Sequence, residues 1–282
     1  MSDALEPQTL EQIRATLDSH GCAPKKSLGQ NFLIDRNLVS KLIDEAGVGE
    51  GDLVVEVGPG TGTLTGALLG RGCGVIACEL DDGLARAIDE RFSAIDRFAL
   101  VHGDCLASKR ALSADLVAAI DGRPFSLVAN LPYQAATPLM LTILAHHPGC
   151  RAMAVTIQKE VADRLLAGCG SKLYGSISIV AQAAAKVTRI ANLPNECFWP
   201  RPNVTSAMVK IERLDEPLTP RIGALADFCQ KTFAGRRKQL AGLLKNLGYQ
   251  GVAWPENVSP TDRIEALPPD RVVALASACG VL

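Results

Sequence analysis

VVEVGPGTGTLT, residues 54–65, carries a strand, a glycine-rich turn and the start of a helix in immediate succession. The apolar run Leu53–Val57 predicts a buried strand, and residues 64–69 begin a helix. Three glycines alternate with other residues in the turn: Gly58, Gly60 and Gly62. Glycine permits a tight turn and lets a ligand approach the backbone closely. The G-x-G-x-G spacing differs from the G-x-G-x-x-G of dinucleotide sites, and no lysine follows it, which excludes a P-loop.

Strand and helix patterns alternate on both sides of this loop. The predicted strands are residues 53–57, 74–80, 98–101, 125–129 and 152–157. The predicted helices are residues 64–69, 83–92 and 159–167, and one that starts at Pro138. Such alternation with apolar strands implies a parallel sheet covered by helices on both faces. Residues 204–211 form a late strand that can close the sheet antiparallel, so we predict a Rossmann-like α/β fold.

The pattern changes after about residue 213. No convincing strand follows, and helical segments are joined by proline-rich stretches at 217–220, 255–260 and 267–269. We therefore predict a catalytic domain of residues 1–212 and a smaller C-terminal helical domain of residues 213–282.

The composition describes a globular protein without a strong charge. The chain has 282 residues, of which 48% are hydrophobic and 21% charged, with a net charge of -1. A nucleic-acid partner must therefore be argued from local patches. The nine cysteines form no C-x-x-C pair, which favours reduced, buried thiols over disulfides or a metal site. With no apolar signal segment and no membrane-length apolar run, we expect a cytoplasmic protein and no membrane partner.

Three acids accompany the glycine loop. Glu56 precedes Gly58, Glu79 ends the second predicted strand, and Asp104 ends the third. Ligands bind at the carboxyl ends of strands in open α/β sheets, where an acid can accept hydrogen bonds from ribose hydroxyls. Glu79 fits that role, and Asp104 can accept from the exocyclic amine of adenine. Each acid alone could be a solvated carboxylate, but together they fit S-adenosylmethionine (SAM), an adenosine with a short charged tail.

Several motifs resemble those of the KsgA (RsmA) family of rRNA adenine-N6 dimethyltransferases. They occur in the family's order and span residues from about 25 to 246: GQNFL (29–33), EVGPGTG (56–62), NLPY (130–133), TPLM (137–140), QKEV (158–161) and FWPRPNVTSAMV (198–209). The resemblance implies a class I SAM-dependent methyltransferase. Its implied substrate is a pair of adjacent adenines in the 3′-terminal hairpin of small-subunit (16S) rRNA, within a 30S particle or precursor.

The resemblance also implies roles for particular residues. Asn31 and Leu33 are expected to lie against the cofactor, and Phe198 to provide a ring opposite Tyr133, although Trp199 beside it is an alternative. Two segments depart from the family pattern. Residues 134–136 are Gln-Ala-Ala where the family often has Asn-Ile-Ser, and Thr205 stands where it often has Asp.

The NLPY motif suits methylation of an amine that is a poor nucleophile. The N6 lone pair of adenine is delocalised into the ring, so both N6 hydrogens need acceptors. The side-chain oxygen of Asn130 and the carbonyl of Leu131 are suitable acceptors, and Pro132 fixes the backbone between them. The base must be flipped out of its stack, and Tyr133 can then stack on its face.

A basic segment, QKTFAGRRKQLAGLLKNLGYQ (230–250), is the strongest candidate for rRNA contact. It contains no acid, and its basic residues are Lys231, Arg236, Arg237, Lys238 and Lys245. We interpret it as a helical element whose buried side carries Leu240, Leu243, Leu244 and Leu247. An ordinary solvated surface is the alternative. Weaker candidates are Lys25, Lys26, Lys172 and Arg201.

Two rival functions remain open from the sequence. An Erm-type 23S rRNA adenine-N6 methyltransferase would share the fold and chemistry, and a non-catalytic ribosome assembly or transcription factor would share the fold. The intact glycine loop, acids and NLPY argue against lost catalysis. We expect a monomer.

Overall fold

The structure, a computed structural model, describes residues 5–282. The helices are α1 (Leu10–Ser19), α2 (Arg36–Ala46), α3 (Thr63–Gly70), α4 (Asp82–Phe92), α5 (Ala114–Ile120), α6 (Tyr133–His146), α7 (Lys159–Leu166), α8 (Ser176–Ala184), α9 (Ile222–Phe233), α10 (Leu240–Asn246) and α11 (Pro269–Ala278). The strands are β1 (Phe32–Leu33), β2 (Leu53–Val57), β3 (Gly74–Glu79), β4 (Phe98–His102), β5 (Leu106–Ser108), β6 (Ala111–Leu112), β7 (Phe125–Asn130), β8 (Cys150–Gln158), β9 (Ala185–Leu193), β10 (Phe198–Trp199) and β11 (Ser206–Arg213).

A seven-stranded sheet in the order β4-β3-β2-β7-β8-β11-β9 forms the centre of the fold. The pairs β2–β3, β2–β7, β3–β4 and β7–β8 are parallel, and Val54 aligns with Val75 on one side and with Ser126 on the other. Val54 and Val75 are almost fully buried, as expected for a sheet with helices on both faces. The predicted Rossmann-like α/β fold is confirmed.

Two helices, α2 and α4, begin at aspartate N-caps. The Asp35 carboxylate accepts hydrogen bonds from the amides of Asn37 and Leu38 at the start of α2. The Asp81 carboxylate does the same for Gly83 and Leu84 at the start of α4. Such N-caps satisfy amides that have no partner within the helix.

The structure corrects the predicted start of α6. This helix begins at Tyr133, so Pro138 lies inside it. A proline in a helix leaves one carbonyl, four residues earlier, without its amide partner and is tolerated here near the helix start. The motif NLPY therefore runs directly from strand into helix.

The far side of the sheet also differs from the prediction. The late strand β11 lies between β8 and β9, so it does not end the sheet. The outer strand is β9, which the sequence analysis missed because Lys186, Arg189 and Asn192 break its apolar pattern.

The described residues form two compact units. The first contains the described residues up to Met140, Gly149–Lys159 and Arg189–Lys210, and the second contains Leu141–Pro148, Glu160–Thr188 and Ile211–Leu282. The predicted boundary at residue 212 lies near the last change between units, but two earlier segments pack with the C-terminal helices. The division into two domains, residues 1–212 and 213–282, each a continuous stretch of chain, therefore stays a prediction.

The second unit has its own core. Helices α8, α9 and α11 pack together, and the buried Tyr174 hydroxyl donates a hydrogen bond to the Leu267 carbonyl at 2.8 Å. Over residues 5–282, no helix is long and apolar enough to cross a membrane.

Candidate active site

A cavity of about 470 Å³ opens in the first unit where the carboxyl ends of several parallel strands meet. Its lining includes Val57, Glu79 and Asn130, which end β2, β3 and β7. The volume falls in the range of small-molecule sites, and the location is the usual ligand site of an open α/β sheet.

The glycine loop forms one wall of this cavity and has no room for side chains. A Cβ at Gly60 would lie 2.7 Å from the Phe32 ring, and one at Gly58 would lie 3.1 Å from the Pro132 ring. Both glycines also have positive φ angles, 62° and 71°. The loop therefore packs tightly against both the GQNFL and the NLPY segments.

Glu79 lies at the end of β3, as predicted, and its carboxylate holds the glycine loop in place. Its two oxygens accept hydrogen bonds from the amides of Gly60 at 3.1 Å and Asp81 at 2.9 Å. Burial raises the pKa of this carboxyl, against the effect of these amides. A carboxylate oxygen can accept a second hydrogen bond, so both oxygens can still accept from a ligand.

The other two predicted acids have different surroundings. Glu56 is buried and accepts a hydrogen bond of 2.6 Å from the Thr65 hydroxyl. Burial raises its pKa to about 8, so the carboxyl is mostly protonated at neutral pH. Asp104 lies two residues beyond β4, is exposed, and accepts from the Leu106 amide at 2.9 Å. All three acids line the cavity.

The GQNFL loop lines the cavity with residues 28–33, which include the predicted Asn31 and Leu33. The Asn31 side-chain amide donates to the Gly29 carbonyl at 3.0 Å. The backbone carbonyl of Asn31 accepts a hydrogen bond from the Asn130 side-chain amide at 2.8 Å. Leu33 is buried in the core cluster beneath the cavity. The loop is thus bonded directly to the NLPY motif.

An ion pair that the sequence analysis missed anchors the start of this loop. The Lys25 ammonium lies 2.6 Å from the buried Asp81 carboxylate, beside Gln30. Burial alone would raise the pKa of Asp81, but its bonds to Lys25 and to amides of α4 lower it. Lys25 and Arg201, which pairs with Glu196, therefore have acidic partners within the protein. No spacing rule links Lys25 to Asp81, so no sequence signal could have found the pair.

All four residues of the NLPY motif line the cavity. The Asn130 amide nitrogen is held by Asn31, and the Leu131 amide donates to the Thr156 carbonyl at 3.1 Å. In the first turn of α6, the amides of Ala135 and Ala136 donate to the Pro132 carbonyl. Within residues 5–282, no donor is assigned to the Asn130 side-chain oxygen or the Leu131 carbonyl.

Tyr133 is half-buried and lines the cavity. Its hydroxyl lies 2.7 Å from the Ser206 hydroxyl. Burial raises the pKa of the phenol, so it stays neutral at physiological pH. Ser206 is a partner that the sequence analysis did not single out, although it lies within the quoted FWPRPNVTSAMV segment.

The structure buries Phe198, the predicted ring opposite Tyr133. Its side chain is 2% exposed, lies in the core cluster and does not line the cavity. The reason is its place on β10, where it pairs with Leu33. The neighbouring Trp199 is less buried and stacks near Phe32, with ring centroids 6.2 Å apart and the Arg14 guanidinium on its ring. Trp199 does not line the cavity either, so the identity of the ring opposite Tyr133 stays a prediction.

The basic segment in the second unit is not one continuous helix. Helix α9 ends at Phe233 and α10 starts at Leu240, so Arg236, Arg237 and Lys238 lie in the turn between them. All three are exposed, and Arg236 forms an ion pair with Glu265 at 3.4 Å.

The other residues of the basic segment lie on or next to α9 and α10. Lys231 and Lys245 lie in the last turns of α9 and α10. Leu240, Leu243 and Leu244 are buried as predicted, but the prediction for Leu247 is wrong because it is 36% exposed. Its position after the end of α10 removes it from the buried face.

These features define a Rossmann-like SAM-dependent methyltransferase. A cavity lined by the glycine loop, Glu79 and Asp104 fits SAM. The model of the ribosomal RNA adenine dimethylase family matches residues 22–279, and the chain belongs to this family. It is a SAM-dependent rRNA methyltransferase, as the motifs predicted.

Similar proteins from bacteria support this assignment. The ribosomal RNA small subunit methyltransferase A of Phenylobacterium zucineum is 40% identical over 272 residues, which cover 96% of this chain and 93% of that protein. The protein of the same name from Streptomyces coelicolor is 40% identical over 286 residues, which cover 96% of each.

Solved structures share the fold at lower identity. A dimethyladenosine transferase from Plasmodium falciparum has a TM-score of 0.72 and 23% identity, covering 88% of this chain and 98% of that one. The 23S rRNA methyltransferase ErmE has a TM-score of 0.65 and 21% identity, covering 89% of this chain and all of that one (100%).

Proposed function

We propose that this enzyme dimethylates N6 of two adjacent adenines in the 3′-terminal hairpin of small-subunit (16S) rRNA. The substrate class is supported by relatives named for the small subunit, which match this chain over 96% of its length. The observation that carries the chemistry is the Asn130–Asn31 hydrogen bond of 2.8 Å. It uses the amide nitrogen of Asn130, so the side-chain oxygen is left as an acceptor.

The paired acceptors explain how N6 becomes reactive. The Asn130 oxygen and the Leu131 carbonyl each take one N6 hydrogen of a flipped-out adenine. Holding both hydrogens orients the nitrogen and favours a tetrahedral geometry, in which its lone pair is released from the ring. N6 releases one proton to solvent with each methyl transfer. After the first transfer a single N6 hydrogen remains, and one acceptor is enough to hold it for the second.

Catalysis then rests on position more than on a strong base. SAM, when bound, supplies an electrophilic methyl group, and the residues proposed to hold it are Asn31, Leu33, Glu56, Gly58, Gly60, Glu79, Asp104 and Asn130. The phenol of Tyr133 is neutral and Glu56 is buried, so neither supplies a ready base. Correct placement of reacting groups can supply much of a rate enhancement. Tyr133 is proposed to stack on the adenine, with Phe198 as the candidate for a second ring and Trp199 as the alternative.

Binding to the ribosomal particle is assigned to the turn between α9 and α10. Exposed cations bind RNA phosphates and release counterions. We propose Arg236, Arg237 and Lys238 as the main phosphate-binding residues, flanked by Lys231 and Lys245. The substrate is a 30S particle or precursor in the cytoplasm, and the enzyme acts as a monomer.

A methyl-transfer assay tests the proposal against its nearest rival. Undermethylated small subunits and unmodified 23S rRNA are each incubated with the enzyme and methyl-labelled SAM. We expect label in the small subunit and background label in 23S rRNA. Asn130→Ala serves as the inactive variant, and Asn37→Ala, on the exposed start of α2, as the matched active control. Label mainly in 23S rRNA would favour an Erm-type enzyme, and label in neither would favour a non-catalytic factor.

A further inference from the structure

The start of β11 meets the NLPY motif at a single hydrogen bond. The Ser206 hydroxyl lies 2.7 Å from the Tyr133 hydroxyl, within the range of a good O–H···O bond. Ser206 is fully buried and does not line the cavity. It therefore does not touch a ligand there, and its side chain reaches the cavity wall through the bond to Tyr133.

The sheet topology places Ser206 at the same edge of the sheet as the NLPY motif. The amide of Lys159, the residue after β8, donates to the Thr205 carbonyl at 2.9 Å. The first residue of β11 therefore lies beside the end of β8. Strand β8 pairs in turn with β7, where Asn130 aligns with Thr156 just before the NLPY turn.

The Tyr133 ring needs such an anchor. Tyr133 is the first residue of α6, so no preceding helical turn packs against its side chain. A tyrosine side chain fixed only at its backbone can turn about χ1 and χ2. A bond from its hydroxyl to a buried residue of the sheet fixes the far end of the ring.

We propose that Ser206 is a positioning residue, which orients the Tyr133 ring for stacking on the flipped adenine. This rests on the proposed role of Tyr133 in holding the base. The interpretation also assigns a task to the Tyr133 hydroxyl: it bonds to the sheet and takes no part in proton transfer. The raised pKa of the phenol agrees, since the hydroxyl keeps its proton at neutral pH.

A double-mutant cycle on turnover tests this assignment. Ser206→Ala and Tyr133→Phe remove the same bond from its two sides, so each should lower kcat about three- to tenfold. Because both variants lose one shared interaction, the double variant should be no slower than the slower single variant. KM for small subunits and the affinity for SAM should change little, since the ring face and the cofactor site are kept. Ser206→Thr keeps a hydroxyl and should recover part of the lost turnover.

A buried serine elsewhere provides the control for simple loss of stability. Ser178 is fully buried and donates a 2.6 Å hydrogen bond to the Arg164 carbonyl in the second unit. Ser178→Ala should lower Tm but leave kcat unchanged. Tyr133→Phe keeps the proposal testable even if Ser206→Ala does not fold, because it leaves β11 intact.

Three results would overturn the proposal: wild-type kcat in either single variant, multiplicative losses in the double variant, or a kcat loss in Ser178→Ala as large as in Ser206→Ala. Failure of the proposed function looks different, because wild-type enzyme would then leave small subunits unlabelled. If the enzyme labelled 23S rRNA and not the small subunit, the same double-mutant cycle can be run on 23S rRNA. Ser206 is proposed to orient Tyr133 against the flipped adenine, whichever RNA supplies that adenine.

Discussion

The side-chain amide of Asn130 donates a 2.8 Å hydrogen bond to the backbone carbonyl of Asn31. This bond joins the end of β7 to the loop of residues 28–33, which lines the same cavity. It fixes which end of the amide faces the loop, so the oxygen faces away from the Asn31 carbonyl. In the proposed function, one side chain therefore links the position of the substrate to the shape of the cofactor loop.

Asn130→Asp tests this orientation more sharply than truncation does. The carboxylate of the variant keeps an oxygen acceptor but cannot donate to Asn31. One of its oxygens then lies against the Asn31 backbone carbonyl, and the two acceptors repel each other. We expect kcat to fall by about a hundredfold or more, while binding to small subunits persists. Asn37→Ala should retain the wild-type rate. A kcat of Asn130→Asp close to that of wild-type would mean that the bond to Asn31 does not position the acceptor.

Glu79→Ala should weaken SAM binding. The change removes charge-assisted hydrogen bonds of about 1.5–3 kcal/mol each, so Kd should rise at least about tenfold. Asp82→Ala is the matched control, because Asp82 lies three residues further on and is exposed. Isothermal titration calorimetry measures both affinities. Wild-type affinity in Glu79→Ala, or an equal loss in both variants, would remove Glu79 from the cofactor site.

Arg237→Ala and Lys238→Ala should each reduce the salt dependence of binding to small subunits. The slope of log Kobs against log salt should flatten by about 0.7–0.9 for every phosphate that is no longer neutralised. Arg236 is expected to respond less, because it already pairs with Glu265. Arg271→Ala, an exposed residue on α11, removes the same charge as the control. If all four variants keep the wild-type slope, the turn is an ordinary solvated surface.

Glu56 should make the protein less stable as the pH rises. Burial raises its folded-state pKa from 4.5 to about 8. Between these values the folded state binds more protons than the unfolded state, so its contribution to the free energy of unfolding falls with rising pH. The contribution is fully present below about pH 4.5 and is lost by about pH 8.

Glu56→Gln isolates this effect, because glutamine does not titrate. Urea unfolding at about pH 5.5, 6.5 and 7.5 should show the free energy of unfolding of the wild-type falling relative to the variant. Glu79, whose pKa burial also raises, is present in both proteins and largely cancels in the difference. A difference that does not change with pH would show that Glu56 is already ionised in the folded protein.

The sequence predicted the sheet and the cavity better than the interactions around them. Periodic apolar runs placed β2 at Leu53–Val57 and put Glu79 at the end of β3, because local patterns decide such features. The buried state of Phe198 depends on its pairing with Leu33, which is distant in the chain. The partners Lys25–Asp81 and Tyr133–Ser206 likewise come from tertiary packing, which no spacing rule encodes.

Local sequence patterns also failed to predict the turn and the ion pair in the basic segment. Its leucines have helical spacing after Arg236, but the structure places a turn before them, with Gly235 just after the end of α9. The absence of acids within residues 230–250 did not reveal the partner of Arg236, because Glu265 lies outside that window.

Locating and counting the methyl groups decides whether the proposed reaction is correct. Undermethylated small subunits are incubated with the enzyme and SAM, and nuclease fragments of the 16S rRNA are analysed by mass spectrometry. We predict N6,N6-dimethyladenosine at two adjacent positions of the 3′-terminal hairpin, and none with Asn130→Ala. Dimethyladenosine at any other site, or unmodified adenines in that hairpin after incubation with folded, SAM-binding enzyme, would contradict the proposed function.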